Sequence, residues 1–167
     1  MIRDSKRRVA RGAVVAALSV GLLVAGASAA FASGRTEAAT KSKTTTTTVN
    51  VVVSDMHGQG MEDHAPGTMS MTVDPASAPS GKVKFVVQNQ GTELHEMVVV
   101  KTDTPYDQLP VNAKNKVSEK GSKGEISSIG KGKTKSKTLK LEAGNYVLLC
   151  NIAGHYAAGM RAPFTVT

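Results

Sequence analysis

The 167-residue chain has no Trp, only three Phe and three Tyr, and a single Cys. So few aromatic rings leave Val, Leu, Ile, Ala and Met to build the core. One Cys excludes a disulfide within the chain. A hydrophobic share of 40% is enough for one core and too little for a multi-span membrane protein. The length fits one domain.

What is present begins with a targeting pattern. Arg3, Lys6, Arg7, Arg8 and Arg11 form a basic start, and residues 12–32 carry no charge. This run closes on small residues, with Ala27-Ser28-Ala29 and Ala30-Phe31-Ala32 as two cleavage candidates. That is the layout of a secretory signal peptide over residues 1–32. An uncleaved membrane anchor is the alternative, but Gly, Ser and Ala make the run a weak one. No Cys lies near the cleavage candidates, which excludes an N-terminal lipoprotein. The expected location is therefore outside the cytoplasm: periplasmic, cell-surface or secreted. A lone Cys in such an oxidising compartment is a free thiol, an intermolecular bridge or a metal ligand.

Residues 33–48 are polar and end in five consecutive Thr. They bury no apolar surface and read as a flexible linker. Residues 49–167 form the domain. Eight short segments there alternate or are β-branched, with Gly, Pro and Asn between them: 48–53, 68–73, 82–88, 96–102, 124–129, 134–141, 145–151 and 162–167. The stretches 74–81 and 142–145 are turn chemistry. Short strands without a convincing helical period predict an all-β, Greek-key β-sandwich. A short helix is allowed for within residues 105–120.

Charge is uneven. Residues 111–140 hold nine Lys against two Glu, and residues 49–110 hold three Lys against eight acids. Lys131, Lys133, Lys135 and Lys137 fall on alternate positions, as on one face of a strand. The plain reading is a solvated edge that resists aggregation. The functional reading is a docking surface for an acidic or membrane-bound partner. No aromatics interleave these lysines, and an exported protein meets no nucleic acid, so that partner class is excluded. A monomer is expected.

The chemistry concentrates near the end. Cys150, His155 and Met160 recur at intervals of five, with Gly154 and Gly159 between them. A thiolate and an imidazole suit a first-row metal, and a thioether adds softness that favours copper. His95 stands at the mouth of another apolar strand. A Greek-key sandwich brings that position beside the Cys loop. Two His, one Cys and one weak axial Met form a trigonal site of the blue-copper kind.

These residues resemble the cupredoxin, or blue copper, family over residues 49–167. The Cys-x4-His-x4-Met spacing looks closer to the sulfocyanin and rusticyanin type of loop than to plastocyanin. The resemblance implies a β-sandwich, one type 1 copper per chain and one-electron transfer between redox protein partners. It implies His95, Cys150 and His155 as strong ligands and Met160 as the axial one. Several members carry Asn after the first His, tying the two ligand segments together; Glu96 stands there. Glu96 and Asn151 are candidate supporting residues around the ligands. His155 is the expected electron exit, with Tyr156, Ala157 and Ala158 forming an apolar docking patch beside it. Tyr146 is expected in the core or at a strand corner.

A second cluster, Met56, His57, Met61 and His64, with Met69 and Met71 close behind, offers donors for a secondary copper. It supports an alternative function, an extracytoplasmic protein that buffers or delivers copper. A copper enzyme would need further His ligands for a second metal, and only His57 and His64 are spare. The chain is expected not to be an enzyme.

Overall fold

The computed structural model describes residues 45–55 and 66–167. The signal segment, the linker up to residue 44, and the cluster Met56, His57, Met61 and His64 lie outside the described residues. Nine strands and one helical turn follow in order: β1 (Thr46–Asp55), β2 (Met69–Asp74), β3 (Ser77–Ala78), β4 (Gly81–Asn89), β5 (His95–Lys101), β6 (Ser122–Ile129), β7 (Thr134–Leu141), β8 (Gly144–Leu149), α1 (His155–Ala158) and β9 (Arg161–Val166). They form two sheets, β2-β1-β4-β7 and β3-β9-β8-β5-β6.

Period-two patterning builds the first sheet. In β1, Val49, Val51, Val53 and Asp55 are buried, whereas Thr48 and Asn50 are exposed. In β4, Val83, Phe85, Val87 and Asn89 are buried between exposed Lys82, Lys84 and Gln88. The two strands run parallel, with Val53 opposite Asn89. Both apolar series therefore end in a buried polar residue at the same end of the sandwich. The second sheet supplies Met97, Val99, Leu148, Ala162 and Phe164 to the same core. Phe85 and Phe164 meet edge to face across the layers, with ring centroids 5.4 Å apart. Removing either ring should cost about 3–5 kcal/mol.

The lysine stripe has a structural explanation. Lys131 and Lys133 belong to the turn before β7, so no continuous stripe exists. Lys135 and Lys137 sit opposite Val87 and Phe85, on the core-facing register of an edge strand. Their ammonium groups donate to the carbonyls of Ser127 and Glu125 at 2.9 and 3.2 Å. These carbonyls belong to β6, the edge of the other sheet. Two inward-register charges thus close one open side of the sandwich, a known way to keep edges from pairing with other chains.

Three expectations differ from the structure. Among the described residues there are nine strands rather than eight, because Ser77–Ala78 pairs with β9 inside a stretch read as turn. β1 starts at Thr46, within the segment read as linker. No helix forms among residues 105–120; that segment is held instead by an isolated Val111–Val117 bridge and by bonds to the Cys150–Met160 loop. The helical turn lies in that loop. Tyr146 is a strand corner, its hydroxyl donating to Glu142 O at 2.7 Å. Among the described residues, no helix is long and apolar enough to cross a membrane.

Candidate metal centre

Three strands deliver the donors to one end. β5 opens with His95, which is fully buried. β8 is apolar to its end and hands the chain to Cys150, also fully buried. The chain then loops out and returns as β9. Cys150 N–H donates to Met160 O at 3.0 Å, and Leu149 pairs with Arg161. Cys150 and Met160 are therefore opposite each other across the ladder, with side chains on the same face. Met160 is fully buried.

The intervening loop is folded back by α1. Met160 N–H donates to His155 O and Ala158 N–H to Gly154 O, at 3.0 and 2.9 Å. Gly159 ends the turn at φ 118°, and a Cβ there would stand 2.5 Å from Met69 O. Position 159 therefore needs glycine twice over, for conformation and for space.

The donor atoms converge. His95 Nδ1 and His155 Nδ1 are 3.2 Å apart, and Cys150 Sγ is 3.5 Å from His155 Nδ1. One ligand atom from each of the three residues lies within 4.8 Å of the others. The far nitrogens of both rings face carboxylates. His95 Nε2 meets Asp55 Oδ1 at 2.8 Å, and His155 Nε2 meets Glu93 Oε2 at 3.2 Å. An ionised carboxylate only accepts, so each contact calls for a proton on Nε2, which in a neutral ring leaves the Nδ1 lone pair facing inward. Facing lone pairs repel unless a proton or cation lies between them. Together with the Cys150 thiol, these two imidazoles fit a type 1 copper ion.

Burial pushes the Cys150 thiol up to about 11, and the nearby carboxylates of Glu96 and Glu93 add to the shift. The backbone N–H groups of Glu96 and Ile152 work against it. A thiol held this high stays protonated at neutral pH until a metal displaces the proton. For Asp55, burial disfavours the charge, but bonds from Thr92, His95 and Glu93 outweigh it and hold the group below the usual carboxylate range. Burial and the Glu125 charge raise Glu96.

The supporting residues divide differently from expectation. Glu96 takes part through its backbone, its N–H pointing at Cys150 Sγ at 3.4 Å. The backbone N–H of Asn151 favours the charged form of the Glu96 carboxylate. The Asn151 side chain faces away from the donors. It accepts from Val117 N–H at 2.8 Å and donates to Val117 O and Glu119 Oε1. It fastens the Cys loop to the β5–β6 connection.

The expected docking patch is not formed as a flat surface. Tyr156 and Ala158 are buried, and Ala157 is exposed. The Tyr156 hydroxyl donates to Tyr106 O and accepts from Leu109 N–H, at 2.8 and 2.9 Å. The β5–β6 connection thus covers the ring. His155 is itself only 2% exposed; its Nε2 reaches solvent through Glu93, whose side chain is 27% exposed.

Sequence reasoning missed Asp55, Asn89 and Glu93. The first two carried a signal: each is a polar residue that continues an apolar period-two series. Asn89 donates to Glu93 O and Ile129 O and accepts from Gly91 N–H, at 2.7, 2.9 and 2.8 Å. Its backbone bonds Lys133 and Gly132, so it ties the segment before His95 to the β6–β7 crossing. Glu93 lies in a turn, and no pattern marks it.

A two-layer β-sandwich with one buried Cys and two buried imidazoles at a common end is the architecture of the cupredoxins, the blue copper proteins. A family model described as the sulfocyanin (SoxE) domain matches residues 33–167, and the chain belongs to that family. Among solved structures, rusticyanin from Thiobacillus ferrooxidans is 20% identical, with a TM-score of 0.50 over 72% of this chain and 77% of that one. A second rusticyanin structure is 21% identical, with a TM-score of 0.51 over 72% and 77%. Auracyanin from the photosynthetic bacterium Roseiflexus castenholzii is 22% identical, with a TM-score of 0.46 over 73% and 96%. At these identities the rusticyanin likeness speaks to the fold. No match was found among curated protein sequences.

Proposed function

We propose that this chain is an exported electron carrier that holds one copper ion through His95 Nδ1, Cys150 Sγ and His155 Nδ1, with Met160 as a weak axial donor. The observation that carries the reading is the convergence of the three donor atoms at the buried end of the sandwich. When bound, copper supplies a one-electron couple between Cu(II) and Cu(I).

The protein's own contribution is to fix the donors beforehand. Strand register sets His95 and Cys150, and the closed Cys150–Met160 loop sets His155. Burial excludes water from the donors, and a rigid, dry site has little to rearrange when its charge changes by one. The chain acts as a carrier between redox protein partners rather than as a catalyst. The basic start and small-residue cleavage sites at 1–32 support action outside the cytoplasm.

Voltammetry and metal analysis of the copper-loaded full chain test this reading. One copper per chain and a reversible one-electron wave are expected. Loss of that wave in a folded, loaded protein would reject the carrier function. A second tightly held copper, lost on replacing Met56, Met61 and His64, would favour copper delivery instead.

A further inference from the structure

We infer that Asp55 is the positioning residue for His95, fixing both the ring's orientation and its tautomer before copper arrives; the role in copper binding rests on the function proposed above. Asp55 ends β1 on the core-facing register, with its side chain 1% exposed. Each hydrogen bond it makes to the His95 segment uses a donor on that segment. Thr92 N–H lies 2.8 and 2.9 Å from its two oxygens, and Thr92 Oγ1 donates to Oδ2 at 2.7 Å. Glu93 N–H reaches Oδ1 at 3.2 Å, and His95 Nε2 reaches the same oxygen at 2.8 Å.

The segment before His95 therefore wraps around one carboxylate. Gly91 shows how closely: a Cβ there would stand 1.7 Å from Asp55 Oδ1. A carboxylate that accepts from Nε2 leaves Nδ1 without a proton and aimed at Cys150 and His155. Outer partners of this kind fix the ligand tautomer, and losing them commonly costs 10–100-fold in metal affinity. The carboxylate also brings a negative charge to the far side of the ring, which favours Cu(II) over Cu(I). His155 has a looser counterpart in Glu93, a longer contact from a partly exposed side chain.

The direct test is nitrogen NMR of the copper-free full chain at mildly alkaline pH. His95 is expected as the Nε2–H tautomer; a proton on Nδ1 in the parent protein would overturn the assignment. In Asp55→Asn, copper affinity measured by chelator competition should fall 10–100-fold, and the potential should rise. A variant that melts like the copper-free parent yet binds copper as tightly and keeps the same potential would also overturn it. Should Asp55→Asn fail to fold, the tautomer of the parent decides alone. That tautomer is read without metal, so a colourless copper adduct would reject the copper site while leaving Asp55's role standing.

Discussion

The two imidazoles reach the same point by different means. His95 opens a strand, and its place follows from sheet register and one buried carboxylate at the end of β1. His155 stands on a loop whose shape has to be built. That takes glycines at 154 and 159, the Cys150–Met160 closure, and three attachments to the β5–β6 connection, through Asn151, Gly154 and Tyr156. Arg161 adds a further brace, donating to Tyr156 O and lying 4.9 Å from the centre of its ring. A strand position inherits its precision from the fold, whereas a loop position needs a supporting segment of its own. The loop side also carries the Cys150 sulfur, so it should dominate the spectrum. The strand side should act through affinity and potential.

The largest expected effect is on the loop side. Cys150→Ser should abolish thiolate-to-copper charge transfer while the copper-free fold survives, as absorption and thermal unfolding would report. An intensely coloured Ser variant would break the assignment of Cys150.

Next comes the response of the copper-free protein to pH, which separates the two sides by sign. Burial holds the Cys150 thiol at about 11, above its ordinary 9.0. The folded state keeps a proton that the unfolded chain releases, so stability should fall as pH rises from about 9 to about 11, by on the order of 3 kcal/mol. Asp55 has the opposite sign. Burial disfavours its charge, yet its hydrogen bonds win and depress its pKa below the ordinary 3.8. Its contribution is whole above that value and is lost as pH falls below it. Denaturant unfolding against pH should show both limbs. Cys150→Ser should shrink the alkaline one, leaving the part due to Tyr156, whose hydroxyl burial also pushes up, and Asp55→Asn should remove the acid one.

Smaller effects concern the potential. Met160→Leu should raise it by removing a weak donor to Cu(II), and Met160→Gln should lower it by adding a harder oxygen, with colour retained in both. Equal potentials in parent and both variants would exclude Met160 as a ligand. The smallest shift should come from Glu93→Gln, which removes a partly exposed negative charge near His155. Voltammetry should show a slight rise that shrinks with added salt, whereas the Asp55→Asn shift, arising from a buried group, should persist.

The sandwich was legible because residues 49–53 and 83–87 are short runs rich in β-branched residues and Gly, Pro and Asn separate the runs. The three converging donors were legible because Cys150 and His155 share the one Cys-bearing segment and His95 opens an apolar strand. The second ring of residues was harder to read. Asp55 and Asn89 lie just beyond the runs read as strands, and Thr92, Glu93 and His95 reach Asp55 only because β1 and β4 pair in parallel. Tyr156 was read as surface because nothing local in residues 102–121 announces that they fold back over it. The lysines at 135 and 137 do lie exposed on an edge strand, as read; their reach to the carbonyls of β6 was not legible, because it depends on how the two sheets meet.

The central claim, a trigonal copper site made by His95, Cys150 and His155, is tested most directly by joint absorption and electron paramagnetic resonance of the Cu(II)-loaded full chain. The account predicts an intense visible thiolate-to-copper band together with a narrow copper hyperfine splitting, from spin shared with the Cys150 sulfur. A weak d–d band with a wide splitting, as given by copper in a tetragonal nitrogen and oxygen site, would contradict it.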